Sequence, residues 1–566
     1  MGFFNSFTYN KKKYNQGEAT FWSQLDQQLD TKPVVKIEFI TREGVAYDIT
    51  EYYISGANIE RVKERAPDEI QAGDFDLVVT NYNDYFSEYK PGSLLYGIVY
   101  HGAKIRIWAG FELPDGRTEL KIQQVGYIDE LHSSEGSEVT FRCRDVIRKI
   151  IDEKFHAKPA SETPVNSLLN TGNGTCSQIN TKPFKTVNED WTLTCTVAGD
   201  NGTAEFSVIG SVSGNVGTAI SGTEFSTGNT AGGIKFTING GSIDWEIGDV
   251  ITFSTKQYPE WNTVNPGKII WSVLTGYNWD SGLQENWNNF VFHLDNTKNS
   301  SNTAINYQSF EALISEFSSS DALTGCIPYN TPAVNFLETI LIVFLGGFFT
   351  DGEGRIKVKS SRPSFANAQR NYADAKKIIS LDYNRSVTEI INQVSVKYKS
   401  TNNWEFSDED INYDGIYAIE DSESVDQHGN LLFEFELPWY TGSGVHAKDF
   451  SNRLINKYAQ PPLVIEFTTG LDALISEIGD HITITDEKSG FSELGCEVAR
   501  TLKVLDGTPK TVEVTARRDQ ELDFVYGFLG SRVDEGDGLS PQASTFGTAS
   551  DDDKQFCYLT TGYRMY

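Results

Sequence analysis

The sequence predicts a mainly β protein of the α+β type, in which two β-barrel domains are joined by a helical or mixed domain. Tyr and Phe are abundant, with 26 and 34 residues, and both favour strands. Apolar and polar residues also alternate along several short runs, which is the period of a half-buried strand. At 566 residues the chain is long enough for two to four domains.

Residues 35–155 are predicted to form the first barrel domain, preceded by an N-terminal arm over residues 1–34. Ile105 and Ile107 alternate with Lys and Arg in one strand, and the run EVTFRCR around Phe141 alternates in the same way. Residues 81–97 lie between the predicted strands and are rich in Asn, Asp, Tyr, Pro and Gly. That composition predicts a long exposed loop.

Residues 156–189 have the Ser, Thr, Pro and Asn content of a linker, and residues 190–256 predict a small inserted β-sandwich. In the insert, Ile234, Phe236 and Ile238 alternate with polar residues between Gly-rich turns. The insert could bind a sugar or a neighbouring protein, or only stabilise the chain. Its phrase EIGD, residues 246–249, recurs at residues 477–480, which indicates recurring turn chemistry rather than a repeat.

Residues 257–378 are predicted to form the helical or mixed middle domain. Asn265 followed by Pro266 has the chemistry of an N-cap and first helical position. Ser309 is predicted to cap a second helix, and Pro332 to open a third. A hairpin with Gly354 at its turn follows.

Residues 379–525 predict the second barrel domain, and residues 526–566 a polar, acidic, Gly-rich tail. Within the second domain, Ala447, Phe450 and Leu454 fall on one face of a helix that the prolines at 461 and 462 end. Several alternating runs after it read as strands. Asp506 and the glycine after it predict the last hairpin turn.

The charge balance restricts the partners of the chain. The formal net charge is -30, and no basic patch appears in the sequence. Sequence-specific or tight binding to nucleic acid is therefore excluded as an expectation. An acidic wall could still let DNA slide past without adhering, or the charge could serve solubility alone.

Motifs for catalysis are absent from the sequence. It contains no H-E-x-x-H, no G-x-S-x-G and no phosphate-binding G-x-x-x-x-G-K-[ST]. The seven histidines are far apart, and the six cysteines have no metal-binding spacing and are predicted to be free thiols. We therefore predict no catalytic residues, no enzyme activity and no cofactor. The longest apolar run, residues 337–349, is too short to span a membrane.

One acidic stretch matches the spacing of a calcium loop. Asp410, Asn412, Asp414 and Asp421 occupy positions 1, 3, 5 and 12, with Asp where Glu is usual at the last position. Carboxylate and amide oxygens suit a hard cation. The flanking residues resemble strands rather than the helices of that motif, so a solvated acidic hairpin is the favoured interpretation and calcium the alternative.

The loop of the first predicted barrel and the strands after it carry a resemblance to a known family. The pattern is a strand, a loop N-x-x-D-x-F-S-x-Y-x-P-x-S-x-L-Y, a strand G-x-x-I-R-I-W-x-G and then G-Y-I-D-E. It resembles the first barrel of hub proteins at the tail tip or baseplate of long-tailed bacteriophages. The matching residues are Asn81, Asp84, Phe86, Ser87, Tyr89, Pro91, Ser93, Leu95 and Tyr96, then 102–110 and 126–130. The element order over residues 265–525 also resembles this family.

The resemblance implies a structural protein of the virion tail, assembled in the cytoplasm of the host bacterium. It implies a homotrimer, whose two barrels per chain form a pseudo-sixfold ring between the tail tube and the tip complex. The implied partners are distal tail or tube proteins, the tape measure protein and tip or fibre proteins. Genome DNA would pass through the lumen during ejection without sequence-specific binding. The alternative is a carbohydrate-binding tail adhesin acting through the inserted β module.

Overall fold

The computed structural model places most of the chain in two large sheets, a small β module and a mixed helical region. Of the 566 residues, the structure describes the following ranges: 32–62, 73–134, 137–147, 161–182, 185–227, 232–285, 292, 294–317, 322–327, 333–343, 346–360, 370–373, 378–385, 387–398, 413, 415–437, 444–506 and 510–518.

The first large sheet is built from strands near the N-terminus of the described chain. The strands are β1 (Lys32–Ile40), β2 (Ala46–Asp48), β3 (Tyr53–Ser55), β4 (Ile59–Val62), β5 (Phe75–Thr80), β6 (Lys104–Glu112), β7 (Thr118–Ser134) and β8 (Glu138–Arg144). All but β4 belong to this sheet, in the order β2-β1-β6-β7-β8-β5-β3, with antiparallel pairing throughout. The predicted alternation is confirmed, since Ile105 and Ile107 of β6 and Phe141 of β8 are fully buried.

A separate module of two facing sheets follows. Its strands are β9 (Val165–Asn166), β10 (Thr175–Cys176), β11 (Asn180–Thr181), β12 (Glu189–Val197), β13 (Glu205–Gly210), β14 (Gly214–Ile220), β15 (Glu224–Ser226), β16 (Ile234–Asn239) and β17 (Val250–Thr255). One sheet has the order β14-β13-β12-β17-β9, and the other groups β10, β11 and β15 around β16. Trp191, Phe206 and Trp245 are among the side chains of a core that this module does not share with the rest of the chain.

The remaining elements follow the module. In chain order they are β18 (Glu260–Val264), α1 (Pro266–Thr275), α2 (Tyr307–Glu316), β19 (Leu323–Cys326), α3 (Ala333–Val343), β20 (Gly347–Thr350), β21 (Ile356–Lys359), β22 (Arg370–Ala373), β23 (Ile378–Arg385), β24 (Gln393–Tyr398), β25 (Gly415–Glu420), α4 (Ser422–His428), β26 (Leu432–Leu437), α5 (Val445–Tyr458), β27 (Leu463–Thr469), β28 (His481–Asp486), β29 (Phe491–Val504) and β30 (Thr511–Arg518).

Helices α1, α2, α3 and α5 and the three-stranded sheet β25-β24-β26 pack around one core. The predicted apolar face of α5 is confirmed, because Ala447, Phe450 and Leu454 are buried in this core. The side chains of Val394 and Val396 reach it from the central strand β24. This small sheet and α5 therefore pack with the helical region, although they lie within residues 379–525.

The first residues of α1 and α2 can be compared with the N-caps predicted from the sequence. At α1 the prediction is confirmed, since the Asn265 side chain accepts a hydrogen bond from the amide of Gly267 at 2.9 Å and Pro266 is the first helical residue. At α2 it is wrong. The cap is Asn306, whose Oδ1 accepts from the amide of Ser309 at 3.2 Å. Ser309 lies in the first turn, because Asn306 already satisfies the amide there.

The second large sheet has the order β22-β28-β29-β30-β27-β23. It repeats the topology of the first sheet. Six strands of each sheet can be numbered 1 to 6 in chain order. They are β1, β3, β5, β6, β7 and β8 in the first sheet, and β22, β23, β27, β28, β29 and β30 in the second. With this numbering, both sheets have the strand order 1-4-5-6-3-2. One difference remains, since β1 pairs antiparallel with β6 whereas β22 pairs parallel with β28.

A glycine turn before the fourth strand is repeated as well. In the first sheet the Gly102 amide donates to the carbonyl oxygen of Ile128 at 3.0 Å, and the Ile128 amide donates back to the residue after the glycine at 2.8 Å. In the second sheet the Gly479 amide donates to the carbonyl oxygen of Val498, and the Val498 amide donates to the carbonyl oxygen of Asp480, both at 2.8 Å. Gly102 and Gly479 have φ of 77° and 71°, values that favour glycine. The fifth strands β7 and β29 are therefore equivalent, residue by residue, around this turn.

The prediction of a mainly β fold is confirmed. The described strands leave both large sheets open rather than closed into barrels, with the three-residue strands β2 and β3 at the edges of the first and β22 and β23 at those of the second. Of these edge strands, β2, β3 and β22 have only three or four residues, which offers little backbone for closing a barrel. Strand β23 has 8 residues, and its outer edge has no partner among the described strands. Buried side chains of both sheets, including Ile107, Phe141, Ile465 and Val514, form one continuous core. No described helix is long and apolar enough to cross a membrane.

The small β module should be removable as a unit. Ser161 and Thr255 form a β-bridge, so the two ends of the module lie side by side. We expect that replacing residues 162–256 by a short Gly-Ser linker leaves both large sheets folded, with a sigmoidal urea transition and an unchanged midpoint for the remainder. The matched control removes only residues 190–254, which leaves the short strands β9, β10 and β11 without their partners; this variant should aggregate. Loss of folding in the first variant would contradict the independence of the module.

Candidate functional site: the junction of the two sheets

Strand β4 crosses from the first half of the chain into the second sheet. It lies between β3 and β5 in sequence, yet it pairs antiparallel with the end of β29, with Val62 opposite Arg500 and Ile59 opposite Lys503. The Arg500 guanidinium donates to the Glu60 carboxylate at 2.6 Å across this pair. The first half of the chain thus supplies a strand to the sheet of the second half, which fixes the two sheets to each other.

Side chains at the start of β4 hold the crossing in place. The Asp506 carboxylate accepts hydrogen bonds from the amides of Gly56 at 3.0 Å and Ala57 at 3.2 Å. In return, Asn58 Oδ1 accepts from the amides of Leu505 at 2.9 Å and Asp506 at 3.1 Å. Gly56 has φ of 100°, and a Cβ there would lie 1.9 Å from a backbone carbonyl oxygen of β5. The sequence analysis predicts only a hairpin turn at Asp506, because its partners lie some 450 residues earlier.

A cluster of charged and polar side chains lies behind this crossing; three of them are buried, and Lys357 and Glu477 are partly buried. We call it the junction cluster: Arg61, Gln123, Lys357, Glu477 and Lys503. Arg61 donates to the Gln123 carbonyl oxygen at 2.9 Å, and the Lys503 ammonium donates to Gln123 Oε1 at 2.9 Å. Lys357 forms an ion pair with Glu477. The cluster therefore connects β4, β7, β21 and the turn before β28, which belong to both sheets and to the middle region.

Electrostatics at the junction cluster are asymmetric. Burial raises the pKa of Glu477, but the attraction of Lys357 and then of Arg61 outweighs it and holds that pKa at about 2. Burial, and secondly the nearby Arg61 charge, lower the pKa of Lys503 well below its usual value. Burial also lowers the pKa of Arg61. Glu477 is thus the anion that attracts Lys357 and Arg61 most strongly, and Asp351 attracts both of them as well.

The β20–β21 hairpin brings Lys357 to the cluster and contacts both halves of the chain. At its turn, Gly354 has φ of 75°, and a Cβ there would lie 2.7 Å from the side chain of Val125 in β7. The prediction of Gly354 at the hairpin turn is confirmed. Lys359, two residues after Lys357, pairs with Asp480 in the turn before β28. The hairpin therefore packs on β7 at its tip and pairs with the second half through two lysines.

The same turn before β28 explains the recurring EIGD phrase. In the second half the Asp480 carboxylate accepts from the amide of Glu477 at 2.9 Å. In the small β module Asp249 accepts from the amide of Glu246 at 3.0 Å. The recurrence is thus a shared turn in which Asp bonds the amide three residues earlier, as the sequence analysis proposed.

Contacts inside the loop explain the loop motif of the first sheet. Asn81 Oδ1 accepts from the amide of Phe86 at 2.8 Å, and the Phe86 ring packs edge-on against Phe141 at a centroid distance of 5.7 Å. Leu95 is buried as well, and Lys90 pairs with Asp84 on the outside. These residues hold the loop on the sheet.

Three tyrosines of the same loop lie on its outer surface. Tyr82, Tyr89 and Tyr96 are 70%, 89% and 52% exposed. Tyrosine is common at the centre of protein interfaces because its ring offers a large contact area at low entropic cost. The loop thus presents aromatic side chains on a fixed backbone, which suits contact with another protein.

The candidate calcium loop lies mostly outside the described residues. Asp410, Asn412 and Asp414 are not described, so the calcium prediction for them stays a prediction. Asp421 is described, and its carboxylate accepts from the amide of Ser424 at 2.8 Å as the N-cap of α4. The strands on either side of the loop, β24 and β25, pair antiparallel, and the interpretation of the loop itself as an acidic hairpin stays a prediction.

Within the described part of the chain, no group of three or more His, Cys, Asp or Glu side chains could hold a metal ion. None of the five described cysteines forms a disulfide. Burial raises the pKa of the thiols of Cys143 and Cys176, the second to about 12. A thiol with a raised pKa is a poor nucleophile at neutral pH.

Comparisons with known proteins give structural likenesses only. No family model and no curated protein matches the chain. Among solved structures, the chain is similar to a tail protein from Neisseria meningitidis (11% identity, TM-score 0.38, 86% of this chain and 97% of that one). It is also similar to the 43 kDa tail protein of prophage MuSo2 from Shewanella oneidensis (10%, 0.38, 86% and 98%) and to prophage tail protein gp18 from Listeria monocytogenes (9%, 0.39, 86% and 95%). The solved structures thus include phage tail proteins, the class that the sequence motifs resemble. At TM-scores below 0.5 they carry no argument of their own about function.

The junction cluster predicts a strong effect of Glu477→Gln on stability. The substitution removes the anion that attracts Lys357 and Arg61 most strongly, so we expect a loss of up to about 3 kcal/mol in the free energy of unfolding, measured by urea denaturation. Glu477→Gln combined with Lys357→Met should lose less than the sum of the single losses. The control is Asp115→Asn, which breaks an exposed pair with Arg117 and should change stability by less than about 0.5 kcal/mol. Equal losses for Glu477→Gln and Asp115→Asn would contradict the role of the cluster.

Glu477 also predicts a pH dependence. Its pKa in the folded chain, about 2, lies below the ordinary value of 4.5, so its contribution is complete above about pH 4.5 and is lost as the pH falls toward 2. The wild-type chain should therefore lose more stability between pH 5 and pH 3 than the Glu477→Gln variant does. Equal losses of stability in the two proteins between pH 5 and pH 3 would show that another group causes the destabilisation at acid pH.

Proposed function

We propose that this protein is a structural hub of a phage tail baseplate or tail tip. Three copies form a ring of six similar sheets between the tail tube and the tip complex, and the ring surrounds a passage for the genome. The observation that carries the proposal is the repeated topology of the two large sheets. Because each chain contains two equivalent sheets, three chains present six similar positions. A junction between a sixfold structure and a threefold structure requires this arrangement. The motif resemblance in the first sheet supports the same function.

The junction cluster supports the proposal through rigidity. A hub must keep the angle between its two sheets fixed, because an error in each chain would prevent the ring from closing. Strand β4 and the junction cluster link the sheets by backbone pairing and by buried ion pairs. Buried charges that accept only one partner arrangement fix geometry more than they add stability.

Neighbouring tail proteins are the proposed partners of the exposed loop. Its tyrosines at 82, 89 and 96 lie on a backbone held by Asn81 and Phe86. We assign this surface to a tube protein, the tape measure protein, or a tip or fibre protein of the tail. The proposal includes no catalytic step, no cofactor and no membrane span.

The inserted β module gives less support to the alternative function, a carbohydrate-binding adhesin. Its tryptophans, Trp191 and Trp245, are fully buried, whereas Leu168 and Leu169 are almost completely exposed. Sugars are commonly held on exposed aromatic rings, and the described apolar surface of the module is aliphatic. That chemistry fits a protein neighbour better than a glycan.

Oligomeric state tests the proposed function. Light scattering or native mass spectrometry of the full chain should give a mass of three chains, alone or after addition of the tail-tube protein. The physical reason is that three copies supply the six sheets that close the ring. The insert-deletion variant that lacks residues 162–256 is the matched control and should also be trimeric, since the module contributes to neither large sheet. A stable monomer in the presence of the tube protein would overturn the proposal.

DNA passage predicts weak contact with the duplex. With 78 acidic against 48 basic residues, the chain can line a channel with carboxylates, and each unpaired cation facing DNA would add a salt-dependent phosphate contact. We expect no retention of duplex DNA by the trimer in a gel-shift assay at about 50 mM salt. A positive control is the same trimer with several wall carboxylates changed to Lys. Retention that weakens steeply with salt in the wild-type protein would contradict free passage.

A further inference from the structure

The end of the small β module that points away from its attachment carries exposed aliphatic side chains. The chain enters and leaves the module at the bridge between Ser161 and Thr255. Strand β17 leads away from this bridge, so its other end, Val250, lies about 17 Å further out. We call this end the tip. The tip patch consists of four exposed aliphatic residues on it, Leu168, Leu169, Ile243 and Ile247.

Hydrogen bonds hold the backbone beneath the tip patch. The buried Asp249 carboxylate accepts from the amide of Thr171 at 2.8 Å and from that of Glu246 at 3.0 Å, which ties the loop of the two leucines to the EIGD turn. Asn173 Oδ1 accepts from the amide of Ile243 at 2.9 Å and ties the same loop to the segment before that turn. The two leucines are therefore exposed on a backbone that is fixed on both sides.

The tip patch lies among acidic side chains. Asp200, Asp244 and Glu246 are exposed at this end of the module. Strand β16 also ends at the tip, where the amide of Gly240 donates to Asn201 Oδ1 at 2.5 Å. The module contains no arginine. Its lysines lie beside the first residues of β16 or directly after the bridge, at the attached end: Lys182, Lys185, Lys235 and Lys256.

We propose that the tip patch is the docking site of the N-terminal arm of the chain, through residues 1–16. An aliphatic surface with an acidic border fits a segment that combines apolar side chains with positive charge. Residues 1–16 contain five aromatic residues and no acidic residue. They also contain Lys11, Lys12 and Lys13, the only run of three consecutive basic residues in the sequence. This inference does not depend on the proposed ring.

The arm is long enough to reach the tip. Thirty-one residues precede β1, which begins at Lys32, and an extended chain of that length spans roughly 100 Å. A compact chain of 566 residues has a radius of gyration of roughly 25 Å. The arm can therefore reach any surface of its own chain. Because the arm and the patch belong to one chain, individually weak contacts are sufficient to hold them together.

Two other occupants fit the charges less well. A lipid surface that contains anionic lipids would repel the exposed carboxylates of Asp244 and Glu246. The tip of a second copy would bring the same carboxylates against each other. The N-terminal arm supplies the opposite charge, and its aromatic rings would cover the two leucines, which as an uncovered apolar surface favour aggregation.

Photo-crosslinking in the full-length chain identifies the occupant. A photo-crosslinking amino acid at position 168 should join the module to a peptide within residues 1–16. The matched control places it at Val212, which is also exposed and aliphatic. Val212 lies at the attached end, because its amide donates to Glu189, which pairs with Thr255. The control position should give no product with residues 1–16.

Trypsin cleavage after Lys11, Lys12 or Lys13 measures how well the arm is covered. Leu168→Ser combined with Leu169→Ser removes most of the apolar surface without adding charge, so cleavage there should become at least tenfold faster than in the wild-type chain. Val212→Ser is the matched control and should leave the cleavage rate unchanged. Since all three side chains are exposed, circular dichroism should show the same fold for each protein.

The outcomes separate the possible occupants. Crosslinks from position 168 to the module of another copy or to a different protein would overturn the inference, as would equal cleavage rates in all three proteins. Flotation of the wild-type chain with vesicles of phosphatidylglycerol and phosphatidylethanolamine, lost in the double serine variant, would assign the patch to lipid and would also overturn it. The proposed hub function would be unaffected by these results, because it is based on the two large sheets.

Discussion

The pairing of β4 with β29 is the contact on which the rest of the structure depends. It joins residues some 440 positions apart and makes the first half of the chain part of the second sheet. Because β4 lies between them, the two sheets share one hydrophobic core, and the charged side chains behind the strand are shielded from water. Without the crossing, the shift in the pKa of Glu477 would keep its main cause, Lys357, but would lose the attraction of Arg61.

Buried ion pairs are an expensive way to join two sheets, since apolar side chains of the same volume are often equally stable. Their use at this junction is consistent with a demand for one geometry. A lysine such as Lys357 satisfies its charge only near its carboxylates, Glu477 first among them, whereas two apolar surfaces can slide. The hairpin adds a steric limit, because Gly354 fits against Val125 only without a side chain. Together these constraints fix the angle between the sheets, which is what a closed ring needs.

Local features of this fold could be predicted from the sequence, whereas long-range ones could not. Strand alternation around Ile107 and the Asn265 cap are set by neighbouring residues and are confirmed. The cap at Asn306 was missed because Asn and Ser have similar capping propensity three residues apart. The partners of β4 and the contacts of Asp506 depend on distant segments. The repeat of the two sheets cannot be seen in the sequence, because equivalent positions such as Glu130 and Arg500 carry different side chains. Only the strand order and the glycine turn are the same in both sheets.

That difference at equivalent positions has a consequence for assembly. If the two halves of the chain were identical, a ring of six sheets could form with any half beside any other half. A β4 strand placed beside residues 130–133 of β7, in the register that it has on β29, would bring Glu60 near Glu130, and like charges on adjacent strands repel. The same strand on β29 meets Arg500 instead. The charge pattern thus favours contacts between a first half and a second half over contacts between two first halves. Such repulsion in the wrong pairing is one way to obtain specificity. In the proposed ring, the divergence of the two halves would set the threefold symmetry, just as their common topology would set the six positions.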